Sequence, residues 1–281
     1  MKCPKDLSPS EIFDFLRSLP LSVITDAQNV VFDNYNPSLQ WAFQPVIDGE
    51  TILRQSIDTS RSGEYYKIPI MTGFNGNEGS LYVDKQMSRP EQFTSFFATL
   101  LPQLPAEDIE IIAGLYADPS TSDDQTYREH RELPEIGPQY KRVEAAYGQY
   151  AYVAPARQTA QLASSVADAP PVYLYHWAPI TTVNGGASHG DNMRYETFDH
   201  AVTSRSKTQR ELSGMLHSYL TSFICHKGDP NALKGTWAQR PRWEAYKPAQ
   251  PKTMIFGKGN EELVGGGTGT PAELITDEWA K

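Results

Sequence analysis

The sequence predicts an α/β fold: a mostly parallel sheet with flanking helices. Three observations predict it. Two short apolar runs, Ile68-Pro69-Ile70-Met71 and Val172-Tyr173-Leu174-Tyr175-His176-Trp177, have the length of buried strands and are bounded by turn signals. Helical periodicity fills the chain between and after them. Both runs break into glycine-rich loops bearing an ionisable side chain, where open α/β sheets place functional groups.

The elements follow in order. Ser8-Pro9-Ser10-Glu11 is a capping box with proline at the first helical position, and Ile12, Phe13, Leu16 and Leu19 continue a short helix that Pro20 ends. Residues 21–38 are mixed and turn-rich. Leu39 to Ile47 reads as a strand running into the tight turn Asp48-Gly49. The strand ending at Met71 comes next, and then the turn signals Gly73, Asn75, Gly76, Asn77 and Gly79, with Glu78 among them.

One helix starts near Pro90 on Phe93, Phe96, Phe97, Leu100 and Leu101. Another starts after Pro105 on Ile109, Ile112 and Leu115. An aromatic stripe at such spacing reads as core, although Phe93, Phe96 and Phe97 would also suit an apolar entrance. Residues 117–137 read as a loop, and 139–165 as a long helix in which Pro155 marks a kink or break. After the strand 172–177 comes the loop Gly185-Gly186-Ala187-Ser188-His189-Gly190-Asp191. Leu212, Met215, Leu216, Tyr219, Leu220, Phe223 and Ile224 then form one broad apolar helix face. The segment 257–281 is a glycine-rich acidic tail. Its Gly265-Gly266-Gly267 lacks the Lys-Ser/Thr of a phosphate loop and reads as a flexible linker. There is no internal repeat. Three strands make a small sheet for 281 residues.

Composition narrows the function classes. At 39% hydrophobic and 21% charged residues the chain is globular, and its length suffices for a sizeable core. A net charge of −9 argues against nucleic acid and anionic membranes as partners. No apolar run has the length of a membrane span. The N-terminus has no signal-peptide core, and Asn36-Pro37-Ser38 is disqualified as a glycosylation site by its proline. The two cysteines, Cys3 and Cys225, exclude a disulfide scaffold. Cys225 is expected to be a buried thiol on an apolar helix face, and Cys3 to have no partner in a flexible terminus. His130, His176, His189, His200, His217 and His226 show no ligand spacing, so no metal is expected, and no cofactor motif is present.

A carboxylate and a histidine on separate loops after strands can form an orienting pair. The acid accepts a hydrogen bond from one ring nitrogen and the other nitrogen serves as general base for a hydroxyl. Glu78 and His189 are the candidates, in the chain order of an α/β-hydrolase acid and base. One literal nucleophile motif exists, Gly186-Ala187-Ser188-His189-Gly190. It is preceded by a loop, opens no helix and is followed by no strand-borne acid and base. Ser188 is therefore read as a neighbour of His189 and not as the nucleophile.

On these residues the chain resembles the C-terminal half of the type B carboxylesterase/lipase family, the cholinesterase-like branch of the α/β-hydrolases. Residues 43–52 (FQPVIDGETI) resemble the family's strand and turn, and 68–80 (IPIMTGFNGNEGS) the segment of the catalytic acid. Residues 154–163 (APARQTAQLA) and 171–177 (PVYLYHW) resemble the helix and strand before the histidine loop, and 185–198 (GGASHGDNMRYETF) that loop. The helix from Leu212, then Gly228-Asp229-Pro230-Asn231 and Trp243-Glu244-Ala245-Tyr246, resembles the family's C-terminal sequence, with Glu244 where the family has proline.

The resemblance covers residues 1–256 as the C-terminal part of such a domain. It implies Glu78 as orienting acid, His189 as general base and acid, and a small carboxylic ester as substrate, with no cofactor. Full-length members are often secreted. The family's nucleophile elbow and oxyanion loop match nothing here. The expectation is thus a chain with two members of a Ser-Glu-His triad, inactive alone. The alternative is a non-catalytic binding protein of the same fold.

Overall fold

The computed structural model describes residues 6–35, 39–124, 126–129, 135–179, 187–257 and 272–276. Cys3, Asn36-Pro37-Ser38, His130, Gly185, Gly186 and Gly265-Gly266-Gly267 lie outside the described residues. The chain divides into two compact units, one formed by residues up to Leu53 with Pro90–Leu115, the other by Arg54–Arg89 with Tyr116 onward.

The first unit is helical. Helix α1 (Pro9–Ser18) starts as expected: the Ser8 side chain accepts from the Glu11 N–H and the Glu11 carboxylate accepts from the Ser8 N–H. Helix α2 (Leu21–Tyr35) occupies the stretch read as turn-rich. Neither α1 nor α2 has a buried residue. Helices α4 (Glu91–Leu100) and α5 (Ala106–Leu115) pack on each other, with Phe93, Phe97 and Ile109 buried and Phe96 half-buried. The strand expected over Leu39–Ile47 does not form. A strand exists only where its backbone groups find a ladder partner, and Pro45 removes a donor. Phe43, Val46 and Ile47 are exposed. The turn after them does form, with Asp48 Oδ1 accepting from the N–H groups of Glu50, Thr51 and Ile52.

Among the described residues the second unit holds the short helices α3 (Ser56–Ser62), α8 (Met193–Glu196) and α9 (His200–Thr203), the longer helices placed below, and a four-stranded sheet whose strands stand side by side in sequence order. Strand β1 is Ile70–Asn75, β2 Val172–Trp177, β3 Lys252–Phe256 and β4 Ala272–Thr276. The first three are parallel and β4 is antiparallel to β3. Strand β2 has its expected bounds. Strand β1 is shifted toward Asn75, so Gly73, read as turn, is a strand residue. It lies across from Tyr175, and a Cβ at Gly73 would sit 2.4 Å from the Tyr175 ring. Strand β3 and the β4 segment of the tail had no strand signal in the reading above.

Period-two alternation on β2 divides the core. Val172 and Leu174 face helix α7 (Ala154–Ser165), packing with Phe74, Ala160 and Ala163. Tyr173 and Trp177 face helix α10 (Lys207–Cys225), packing with Leu212, Leu216, Tyr219, Trp243, Met254 and Phe256. Sheet between helices is the expected α/β layering. Cys225 is exposed, not buried. At about 100° per residue it falls some 140° from Leu212, on the opposite side of α10 from the packed face. No helix of the described residues is long and apolar enough to cross a membrane.

Candidate active site

The site forms where β1 and β2 end side by side. The strands are parallel and in register from Ile70↔Val172 to Asn75↔Trp177, so the segments that follow them leave the sheet at the same edge. After β1 the chain enters a single 3₁₀ turn, Glu78–Leu81, in which Glu78, Gly79 and Ser80 are buried. After β2 it returns as the segment Ala187–Asp191. The two are joined by a parallel bridge between Asn77 and Ser188, with the Asn77 N–H donating to the Ala187 carbonyl at 2.8 Å.

Glu78 and His189 meet there. His189 Nδ1 is 2.6 Å from Glu78 Oε2. Glu78 is 6% exposed, and its other oxygen accepts from the Asn75 N–H at 2.6 Å. The carboxylate is thus desolvated but supplied with two short hydrogen bonds, which a buried charge requires. The imidazole side chain is 42% exposed. When Nδ1–H donates to the carboxylate, Nε2 carries the lone pair and is the proton acceptor.

The turn that carries Glu78 is packed tightly. Helix α6 (Tyr140–Gly148) runs against it, and a Cβ on Gly79 would lie 2.1 Å from the Glu144 carbonyl oxygen. Tyr140 Oη donates to the Ser80 carbonyl at 3.1 Å. The Asn77 amide donates to the buried Glu144 carboxylate at 3.3 Å.

Ser188 is 4% exposed and is bonded within the scaffold. The Ser80 hydroxyl donates to its Oγ at 2.7 Å, its N–H donates to Asp191 Oδ2 at 2.8 Å, and its carbonyl accepts from the Asn75 amide at 2.6 Å. It does not have the left-handed backbone of an elbow residue, although a single helical turn, Met193–Glu196, does open soon after Gly190 where none was expected. Burial, which outweighs the Ser188 N–H bond, raises the Asp191 pKa above the ordinary value, and the nearby Glu78 charge adds to the rise.

Sequence reasoning missed several participants. Asn75, read only as a turn former, ties the acid turn to the histidine segment and also donates to Asn192 Oδ1 at 3.2 Å. Asn192 in turn donates to Glu196 and to the Tyr175 hydroxyl. Tyr152 and Tyr82 lie beside the imidazole, with ring centroids 4.5 and 5.7 Å from it. A cleft of about 530 Å³ opens on the Glu144 side of Glu78, lined by Asn77, Lys141, Gln149 and His176 among others. His189 is not in its lining.

The model of the Carboxylesterase family matches residues 1–267. Secreted lipase 4 of Gibberella zeae is 27% identical over 233 residues, 82% of this chain and 39% of that protein. Human Neuroligin-2 is 26% identical over 244 residues, 79% of this chain and 27% of that protein. Among solved structures, Aspergillus niger EstA superposes with a TM-score of 0.63 at 18% identity, over 85% of this chain and 43% of its own. PNB esterase superposes with a TM-score of 0.66 at 17% identity, over 95% of this chain and 49% of its own. The chain therefore spans less than half the length of each of these relatives.

Proposed function

This chain belongs to the carboxylesterase family, and we propose that it supplies the acid and the base of an ester-hydrolysing site, Glu78 and His189, to a serine that lies outside its described residues. The 2.6 Å contact between Glu78 and His189 Nδ1 carries the reading. In the complete site a serine hydroxyl attacks the ester carbonyl. His189 Nε2 takes its proton and returns it to the leaving alcohol, while Glu78 holds the imidazole and stabilises its charged form. Relatives that bear the names lipase and esterase favour carboxylic esters as the substrate class. Among the described residues, strand β1 ends the sheet on one side. Its outer edge suits pairing with further polypeptide, which would also bring the oxyanion donors that are often the largest catalytic contribution.

The experiment is hydrolysis of p-nitrophenyl acetate and butyrate by the purified chain, beside His189→Ala. Neither should show saturable turnover, because loss of the nucleophile alone costs on the order of a million-fold in rate. Turnover that vanishes in His189→Ala would put the nucleophile in this chain and overturn the division of labour. The DNA upstream of the Met1 codon provides the positive arm. An in-frame Gly-x-Ser-x-Gly there should yield a longer product that hydrolyses both esters and loses activity in His189→Ala. The second reading, a non-catalytic binding protein of the same fold, is favoured by the burial of Ser188. It prevails if no such motif is encoded and neither ester is turned over.

A further inference from the structure

We infer that Tyr152, aimed by a π turn, is a positioning residue for His189, its ring restricting the imidazole to the orientation that meets Glu78. The inference rests on the reading of Glu78 and His189 given above. The backbone from Tyr140 to Ser165 is helical throughout, but its middle, Gln149–Val153, is a π turn closed by the Ala154 N–H donating to the Gln149 carbonyl. Such turns are rare and concentrate at functional sites. Its cause is legible: Pro155 follows after one residue, Ala154. In an uninterrupted α-helix the proline ring would clash with the carbonyl four residues back, and a wider turn relieves that clash.

The π turn changes which residues share a face. Tyr147 and Tyr152 are five residues apart, and in a regular α-helix they would diverge by about 140°. Here their rings meet edge-on at 6.3 Å. Both also meet Tyr82, just past the acid turn, at 5.6 and 5.9 Å. Tyr152 then reaches the His189 ring at 4.5 Å, and Tyr82 reaches it at 5.7 Å. The contact with Glu78 fixes one atom of an imidazole whose ring torsion is intrinsically broad. An aromatic ring against it narrows that torsion. Burial, then hydrogen bonding with Tyr82, drives the Tyr152 phenol well above its ordinary pKa. The group therefore stays neutral and acts through its ring, not by taking a proton.

The test uses the full chain with ¹⁵N-labelled histidine side chains and long-range ¹H–¹⁵N spectra near pH 8. The His189 signals are assigned by their loss in His189→Gln. Wild type and Tyr152→Phe should show one tautomer, protonated at Nδ1. Tyr152→Leu should lose the Nδ1–H resonance and show ring nitrogens shifted toward averaged values. Tyr152→Met, half-buried at the same place, serves if the leucine variant does not fold. Circular dichroism verifies the fold of each. A folded leucine or methionine variant with the wild-type tautomer overturns the inference and leaves the Glu78–His189 reading intact. Averaged nitrogens in the wild type overturn both.

Discussion

The Glu78 carboxylate and the His189 ring are 2.6 Å apart although 111 residues separate them in sequence. Two parallel strands of equal length bring them together, and a single backbone bridge sets the final approach. The pair is also a stability feature. In His189→Ala the Glu78 carboxylate, 6% exposed, keeps the Asn75 N–H but loses its second short bond. Uncompensated buried acceptors cost about 1–3 kcal/mol. Urea unfolding should show that loss at neutral pH.

Ser188→Ala separates the literal motif from the chemistry. The substitution removes the bond from the Ser80 hydroxyl and should cost about 0.5–1.5 kcal/mol of stability. In any ester-hydrolysing form of the protein, kcat should stay within about twofold of wild type, since a fall on the order of a million-fold is the mark of a true nucleophile. Side-by-side unfolding and turnover measurements check both parts.

Gly79→Ala should destabilise the acid turn by about 1–3 kcal/mol, the usual range for overpacking. The obstacle is the backbone carbonyl of Glu144, 2.1 Å from the new Cβ, which cannot rotate away as a side-chain tip would. Thermal unfolding, with the His189 tautomer as local reporter, should show both a lower Tm and a disturbed imidazole.

Asp191→Asn should raise Tm at pH 8 and leave it unchanged below about pH 3. The sign follows from linkage. The folded pKa of Asp191 is raised above its ordinary 3.8, so the folded state binds that proton more tightly than the unfolded state does. The penalty for ionisation is absent when both states are protonated and develops as pH rises through the carboxylate range. Asparagine removes the charge and keeps an oxygen for the Ser188 N–H. Melting curves across pH 3–8 give the comparison.

The parts of the fold that were legible are those with a strong local signal. Strand β2 is marked by a compact apolar run between turn signals and helix α10 by the 3.6-residue repeat, and both form where expected. Leu39–Ile47 had the composition of a strand but found no ladder, and β3 and β4 are short segments stabilised by their neighbours. Helix α2 carries Val23, Ala27, Val30 and Val31 at helical spacing, a period that the turn-rich reading of its polar residues passed over. Within the site, Glu78 and His189 were legible because glycine-rich loops follow strands. Asn75, Ser80 and Tyr152 were not. The Asn75 and Ser80 partners on Ser188 are 113 and 108 residues away, and the reach of Tyr152 depends on a π turn that breaks the helical count.

The hydrogen bond from the Asn77 N–H to the Ala187 carbonyl has a consequence for how this chain tolerates change in length. It resets the register of the returning backbone two residues before His189. A single residue gained or lost between Ala187 and His189 moves the ring by about 3.3 Å, one strand residue, and dissolves the pair. A length change between Ala187 and His189 should therefore abolish the Glu78–His189 contact, whereas one before Ala187 need not.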